Sequence, residues 1–329
     1  MEQMSHGERS RLVVTRALPS AVMQRIGAEY LAWINPHDRG MTSAEILREA
    51  LVLQAEALLV MAMDRIDAEL IDELPPSVRV IATFSLGHEH IDLAAAKARD
   101  IAVLTMPDVL SDAVAEMAVL LLLGAARRAH EGSLMLYRGE WRGWTPTQLL
   151  GRDVVGARLG VFGMGRIGRA VARMAGRGFD MQVHYHNRGR LPEDIESGAI
   201  FHATPAGLLA RSDFLVLAAP STPATIGFLN PTTIAQLPTG AIVVNVGRGN
   251  LVDDAALIGA LRSGRIAAAG LDVFNNEPKI DPDYLSLPNV FLQPHQGSST
   301  VGTRERMGHS LLDSITQFKA GATLPNRLV

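Results

Sequence analysis

Residues 158–168 read RLGVFGMGRIG, and RAVARMAGR follows. An apolar strand-like run passes through three spaced glycines into a helix-like stretch, and few backbones accept that order. Gly163 permits a tight turn, Gly165 lets the backbone approach a bound group, and Gly168 lets the helix pack closely on the strand. The first-turn amides of such a helix attract an anion. A glycine triplet alone is weak evidence. Here it follows one strand, opens a helix and precedes a second strand, which is the context of a dinucleotide site.

The competing readings are a purely structural turn and another Rossmann-like nucleotide site, such as one for a methyl-donor cofactor. The next strand-like run ends in QVHYHNRGR, residues 182–190. An acid at this strand end would bond the ribose hydroxyls and repel a 2′-phosphate. Asn187 removes that repulsion, while Arg188 and Arg190 offer charge and bidentate hydrogen bonds to a phosphate. The bland alternative is a basic surface turn. The stretch therefore predicts NADPH as the preferred cofactor, with NADH as the alternative. Gly163, Met164, Gly165, Arg166, Ile167 and Gly168 complete this part of the expected cofactor site.

The length, 329 residues, suits about two domains. Strand-like runs alternate with helical stretches throughout, which implies parallel sheets built from crossover units. The first series is Leu12–Thr15, Leu58–Met61, Arg79–Thr83 and Ala102–Thr105; the second is Leu159–Phe162, Met181–His184, Phe214–Ala218, Ala241–Val246, Ala268–Val273 and Val290–Leu292. Between them, Ser111–Arg128 reads as a buried connecting helix, with acids in its first turn and arginines in its last. Tyr137–Gln148, which holds Trp141 and Trp144, reads as a loop or arm that buries aromatics against something else. The helical stretch Thr303–Phe318 has too little chain around it to form a domain and must pack on one already built.

Composition narrows the function classes. Net charge is −3 with dispersed basic residues, which is no footprint of a nucleic-acid binder. Cysteine is absent, so there is no disulfide, thiolate metal site or cysteine nucleophile. The polar start, MEQMSHGERSR, lacks a signal-peptide core, and the run Met117–Ala126 is too short to span a bilayer. A soluble, cytoplasmic protein with no membrane partner is the expectation.

Three ionisable residues stand at the carboxyl ends of strand-like runs, where open α/β sheets bind ligands: Arg248 in NVGRGNLVD, Glu277 in GLDVFNNEP and His295 in QPHQGSS. Singly, each has a dull explanation as a cap, a turn residue or a solvated histidine. Together they resemble the reacting set of the D-isomer-specific 2-hydroxyacid dehydrogenases, most closely the glyoxylate/hydroxypyruvate reductase branch. Four blocks in that family's order carry the resemblance: residues 85–123 from SLGHEHID, 143–172 from GWTPTQ, 245–278 from NVGRGN, and QPHQGSST at 293–300.

The resemblance implies an α/β protein of two Rossmann-like domains with parallel sheets. A cofactor domain, residues 107–295, would be inserted into a discontinuous substrate domain, residues 1–106 and 296–329. It further implies a homodimer formed through the tryptophan arm and a small 2-oxo or 2-hydroxy acid as substrate. Reducing such an acid needs a hydride at the carbonyl carbon and a proton at its oxygen. His295 suits the proton transfer, since an ordinary imidazole titrates at about 6.5. Glu277 would fix its tautomer, and Arg248 would clamp the carboxylate or carbonyl. Ser85, Leu86 and Gly87 match the loop whose amides hold the substrate carboxylate. Asp272 matches an aspartate near the nicotinamide carboxamide, Pro220 and Thr225 a loop along the cofactor, and Val246, His295 and Gly297 complete the expected contacts.

Glu89 stands where the family often has aspartate, Gln296 where it has an apolar residue, and Ser299 where alanine is frequent, which leaves substrate preference open. His88, Glu89 and His90 suggest a metal site at first sight. Adjacent side chains splay apart, however, and no complementary cluster follows, so no metal is expected. Two alternatives stand beside the reductase: a dinucleotide-sensing, corepressor-like binding protein on the same fold, and a dehydrogenase for another acid, such as a sugar acid, an aryl acid or phosphoglycerate.

Overall fold

The computed structural model describes residues 9–329; most of the polar N-terminal stretch, residues 1–8, lies outside them. The chain divides into two compact units. One runs to Leu110 and resumes at Thr300–Val329, and the other is Ser111–Ser299. Both breaks fall a few residues beyond the expected ones, at the start of a helix (Ser111–Ala126) and at the cap of another (Thr300).

The first unit contains a parallel sheet of β1 (Ser10–Val14), β2 (Tyr30–Ile34), β3 (Ala57–Val60), β4 (Val80–Thr83) and β5 (Ala102–Leu104), in the order β2-β1-β3-β4-β5. Every residue of β3, β4 and β5 is buried, as strands covered on both faces require. Sequence reasoning missed β2. It is an edge strand that follows its helix without a glycine or proline break, and its Leu31 faces solvent. The C-terminal helix, Val301–Lys319, returns to pack on β4 and β5, with Gly308 set closely on Val22. Leu104 also bridges Arg327, so the chain end is sewn to this sheet.

The second unit holds β6 (Arg158–Phe162), β7 (Gln182–His186), β8 (Ile200–Phe201), β9 (Phe214–Leu217), β10 (Ala241–Asn245), β11 (Ile266–Leu271) and β12 (Val290–Leu292), all parallel. The order β12-β11-β10-β9-β6-β7-β8 is the doubly wound arrangement with one additional strand. It reverses between β6 and β9, so ligands are favoured beyond the carboxyl ends of those strands. The two-residue β8 was too short to register in the sequence.

The helix Ser111–Ala126 packs on the helix Arg166–Phe179 and on β10 and β11. It was expected to reach Arg128 but stops at Ala126. Arg128 adopts a left-handed φ of 52° and pairs with Glu131, which starts the next helix, Ala129–Tyr137. Beyond that helix Trp141 and Trp144 are exposed, 55% and 79%, so the aromatic arm is not covered within this chain. No helix among the described residues is long and apolar enough to cross a membrane.

Candidate active site

The glycine turn lies at the point of strand reversal. Gly163 has φ +97°, and a Cβ there would stand 2.6 Å from the Ala219 nitrogen beyond β9. Only glycine meets both demands. A Cβ on Gly168 would drive into the Gly163 carbonyl, so the helix start is pressed onto the turn. Gly165 caps the helix Arg166–Phe179 without a side chain, and no acid lies in the first turn. A Cβ at Gly165 would meet nothing and would instead fill the space before the helix amides. That cradle, positive by its dipole and free of carboxylates, fits a pyrophosphate.

At the end of β7, the Asn187 Oδ1 accepts from the Met164 N–H at 3.3 Å, tying the strand end to the glycine turn. Arg188 is exposed and has no ion pair among the described residues. Arg190 departs from the expectation of a free phosphate ligand. It grips Glu196 through Nε (2.9 Å) and Nη2 (2.8 Å), which holds the Glu196 carboxyl below its ordinary range. Thr225 Oγ1 donates to Pro220 O at 2.7 Å, closing the loop after β9 into a compact turn. Val246 continues β10 by donating to Leu217 O at 3.2 Å.

Three strand ends bring the ionisable residues forward. After β10, Asn245 is buried and latches the next loop with both halves of its amide. Its Oδ1 accepts from Gly247 N (3.0 Å), and its Nδ2 donates to Arg248 O (2.9 Å). The Arg248 Nη1 donates back to Gly247 O at 2.8 Å. Gly249 then presses onto the turn after β11, where any Cβ would overlap the Phe274 carbonyl and the Asn275 nitrogen. The arginine loop and the glutamate turn are therefore seated directly on one another.

In that turn, Glu277 Oε1 accepts from the Phe274 N–H (2.8 Å), while Oε2 lies 2.6 Å from His295 Nδ1. Burial pushes the Glu277 carboxyl up. Hydrogen bonds from His295 and Phe274, with the charges of His295 and Arg248, outweigh it and hold Glu277 below the usual carboxylate range. The far ring nitrogen of His295, Nε2, is the one left for a ligand, and the side chain is half exposed. His295 sits at φ +53°, anchored by its N–H to Asp272 O (2.9 Å) and Gln293 O (3.1 Å). Such a backbone costs of order 1–3 kcal/mol and persists only where its surroundings fix it.

Asp272, almost wholly buried, does that fixing. It accepts from Gln296 N (2.7 Å) and Gly297 N (2.8 Å), and burial raises its carboxyl above the ordinary value despite those bonds. Ser299 N in turn donates to Gln296 O at 2.8 Å. An imidazole backed by a carboxylate, with a guanidinium on an interlocked loop, can move a proton beside an anionic ligand.

The structure thus joins Glu277 and His295 directly, and Arg248 to them through the Gly249 seat. Residues 119–297 match the family model described as "D-isomer specific 2-hydroxyacid dehydrogenase, NAD binding domain". The chain belongs to the D-isomer specific 2-hydroxyacid dehydrogenase family. It is 42% identical over 318 residues to a glycerate dehydrogenase of Hyphomicrobium methylovorum, covering 96% of this chain and 98% of the relative. A crystal structure from Polaromonas sp. JS6 66, described as a D-isomer specific 2-hydroxyacid dehydrogenase, NAD-binding, has a TM-score of 0.94 and 47% identity, covering 98% of this chain and all of that one. The NADPH-dependent glyoxylate/hydroxypyruvate reductase of Sinorhizobium meliloti, solved with NADP and malonate, has a TM-score of 0.83 and 31% identity, covering 98% of this chain and 97% of that one.

In this dehydrogenase Ser85, Leu86 and Gly87 belong to the first unit, just after β4, where Ser85 O accepts from Met106 N at 3.1 Å. Among the described residues no group of three or more histidines, aspartates or glutamates is placed to hold a metal ion. Sequence reasoning passed over Asn245 and Gly249, which carry no charge. The available signal was an amide ending an apolar strand, followed by glycines on either side of an arginine.

Proposed function

We propose that this dehydrogenase reduces small 2-oxo acids of the glyoxylate and hydroxypyruvate class to D-2-hydroxy acids, and prefers NADPH. The observation that carries the reading is the 2.6 Å Glu277–His295 pair in a unit that also offers a dinucleotide cradle. The bound dinucleotide supplies the hydride. Arg248 binds the substrate carboxylate or carbonyl and draws electron density toward the oxygen. His295, held through Nδ1 by Glu277, donates a proton from Nε2 to that oxygen, and the reverse transfer serves oxidation. Glu277 keeps the tautomer that makes Nε2 the working atom. Ser85, Leu86 and Gly87 are assigned to carboxylate binding through their backbone amides, on the family resemblance.

The turn from Gly163 to Gly168 holds the pyrophosphate, and Asn187 with Arg188 receives the 2′-phosphate, which Arg190 joins only by leaving Glu196. Pro220, Thr225, Val246, Asp272 and Gly297 line the remaining path. The named relatives support both the substrate class and NADPH. The exposed Trp141 and Trp144 support a homodimer, which light scattering would test.

Initial rates with glyoxylate, hydroxypyruvate and phenylpyruvate, each with NADPH and with NADH, test the proposal. Turnover with NADPH preferred is the expected result, and Asn187→Asp should shift preference toward NADH by tenfold or more, on the order of one charge contact. Tight cofactor binding without turnover of any 2-oxo acid would favour the sensing protein instead. NADH already preferred by the wild type would defeat the strand-end argument.

A further inference from the structure

A part-buried hydrogen-bond chain in the first unit leads to the Ser85–Gly87 loop, and two of its members, Thr83 and His90, have no role among those assigned above. His90 Nε2 lies 2.9 Å from Thr83 Oγ1, Thr83 Oγ1 lies 2.8 Å from Ser85 Oγ, and Ser85 Oγ lies 2.6 Å from Gly87 O. Thr83, the last residue of β4, is wholly buried.

Counting protons fixes the direction of this chain. A carbonyl oxygen only accepts, so the single hydroxyl proton of Ser85 is committed to Gly87. Ser85 Oγ must therefore accept from Thr83, which has then spent its own proton. Thr83 Oγ1 can only accept from His90, so His90 Nε2 carries a hydrogen. Burial, its largest influence, holds the His90 imidazole below its ordinary value, against the opposing charges of Glu89 and Asp64 and with that of His88. The neutral ring supplies the donor as its Nε2–H tautomer. The base of the chain is itself fixed, because the His90 carbonyl accepts from Ile66 N at 2.9 Å. Ser85 is held at both ends, its carbonyl by Met106 N (3.1 Å) and its hydroxyl by Thr83 (2.8 Å).

We propose that His90 and Thr83 are positioning residues that set the substrate loop through a one-way hydrogen-bond relay, His90 to Thr83 to Ser85 to Gly87. The relay holds the Gly87 carbonyl back within the loop, and with it the peptide plane that carries the His88 N–H. Met106 N holds the Ser85 carbonyl and so the plane of the Leu86 N–H, which leaves the Gly87 N–H between two fixed planes. This inference rests on the reading of Ser85–Gly87 as the carboxylate-binding loop.

The test is steady-state kinetics with glyoxylate and NADPH on the full chain, with thermal melts of each variant. Thr83→Val keeps the shape and removes the hydroxyl. His90→Gln places an amide nitrogen where Nε2 stands, whereas His90→Asn places it nearer the position of Nδ1. Thr83→Val and His90→Asn should each raise the KM for glyoxylate about tenfold to a hundredfold, with kcat and the KM for NADPH changed less than about threefold, the pattern of lost uniform binding. His90→Gln should restore the KM for glyoxylate to within about threefold of wild type. The double variant Thr83→Val/His90→Asn should be no worse than either single one, since both break one chain.

Equal failure of His90→Gln and His90→Asn, additive losses in the double variant, or an unmoved KM would overturn the relay. Leu86→Pro, which deletes a loop amide, separates the two readings. If it raises the KM while Thr83→Val does not, the relay alone falls. If a folded Leu86→Pro leaves the KM unchanged, the carboxylate loop and the relay fall together.

Discussion

Substituting Gly249 by alanine tests how the reacting groups are held together without touching any of them. The added Cβ would overlap the carbonyl carbon and oxygen of Phe274 and the nitrogen of Asn275, all of them backbone atoms. Restoring ordinary contact at about 3.5–4.0 Å requires the two loops to part by roughly 1.5 Å. Arg248 is the next residue on one side, and Glu277 is bonded to Phe274 N on the other. A displacement of about 1 Å costs roughly a hundredfold in rate where geometry is preorganised. We therefore expect kcat/KM for the 2-oxo acid to fall by about a hundredfold or more.

Overpacking should also cost about 1–3 kcal/mol, which in a domain of this size lowers Tm by about 2–4 °C per kcal/mol. NADPH affinity, measured by fluorescence titration, should fall less than kcat/KM, because the glycine turn lies elsewhere in the sheet even though Val246 and Asp272 adjoin the parted loops. Gly259 is the control. It lies exposed in the helix Asp254–Arg262, where a Cβ meets nothing within 4 Å, so Gly259→Ala should leave kcat/KM intact and add up to about 1 kcal/mol of stability. A Gly249→Ala enzyme with kcat/KM within fivefold of wild type would refute the argument that this seat sets the catalytic geometry.

Further outcomes follow from the same contacts. Glu277→Gln keeps an acceptor for Phe274 N but gives His295 a neutral partner. Loss of a charge-assisted bond worth about 1.5–3 kcal/mol should lower kcat/KM about 10-fold to 150-fold, and an unchanged rate would remove Glu277 from the mechanism. Asp213 is gripped by Arg158 at two points of 2.8 Å, and those bonds outweigh burial to hold its carboxyl below its ordinary value. A depressed carboxyl contributes stability above the unfolded value that is lost as pH falls through the folded one. Asp213→Asn should therefore cost about 1 kcal/mol at neutral pH, discounted for solvent screening, and the difference from wild type should shrink below about pH 4 in acid-unfolding curves. A difference constant down to pH 2 would contradict this pairing.

Much of the architecture was legible because the central runs of many of the parallel strands are fully buried. LVV, ALLV, VIAT and FLVL read as continuous apolar runs that only a doubly covered sheet satisfies. The strands that escaped were β2 and β8, each at a sheet edge, where burial imposes no such signature. The candidate site divides in a similar way. Arg248, Glu277 and His295 announce themselves by charge at strand ends, whereas the neutral Asn245 latch and the Gly249 seat emerge only from backbone proximity. Arg190 shows the converse limit. Its charge was visible, but its bidentate pairing with Glu196 depends on a turn of the chain that no local pattern specifies.

The most direct test of the account is His295→Ala, assayed for NADPH oxidation with glyoxylate alongside the dissociation constant for NADPH. Removing the proton donor should lower kcat/KM by about 10²-fold to 10⁴-fold, with cofactor affinity within about threefold of wild type. Turnover at the wild-type rate in a folded His295→Ala protein would show that the imidazole held by Glu277 is not the acid of this reaction.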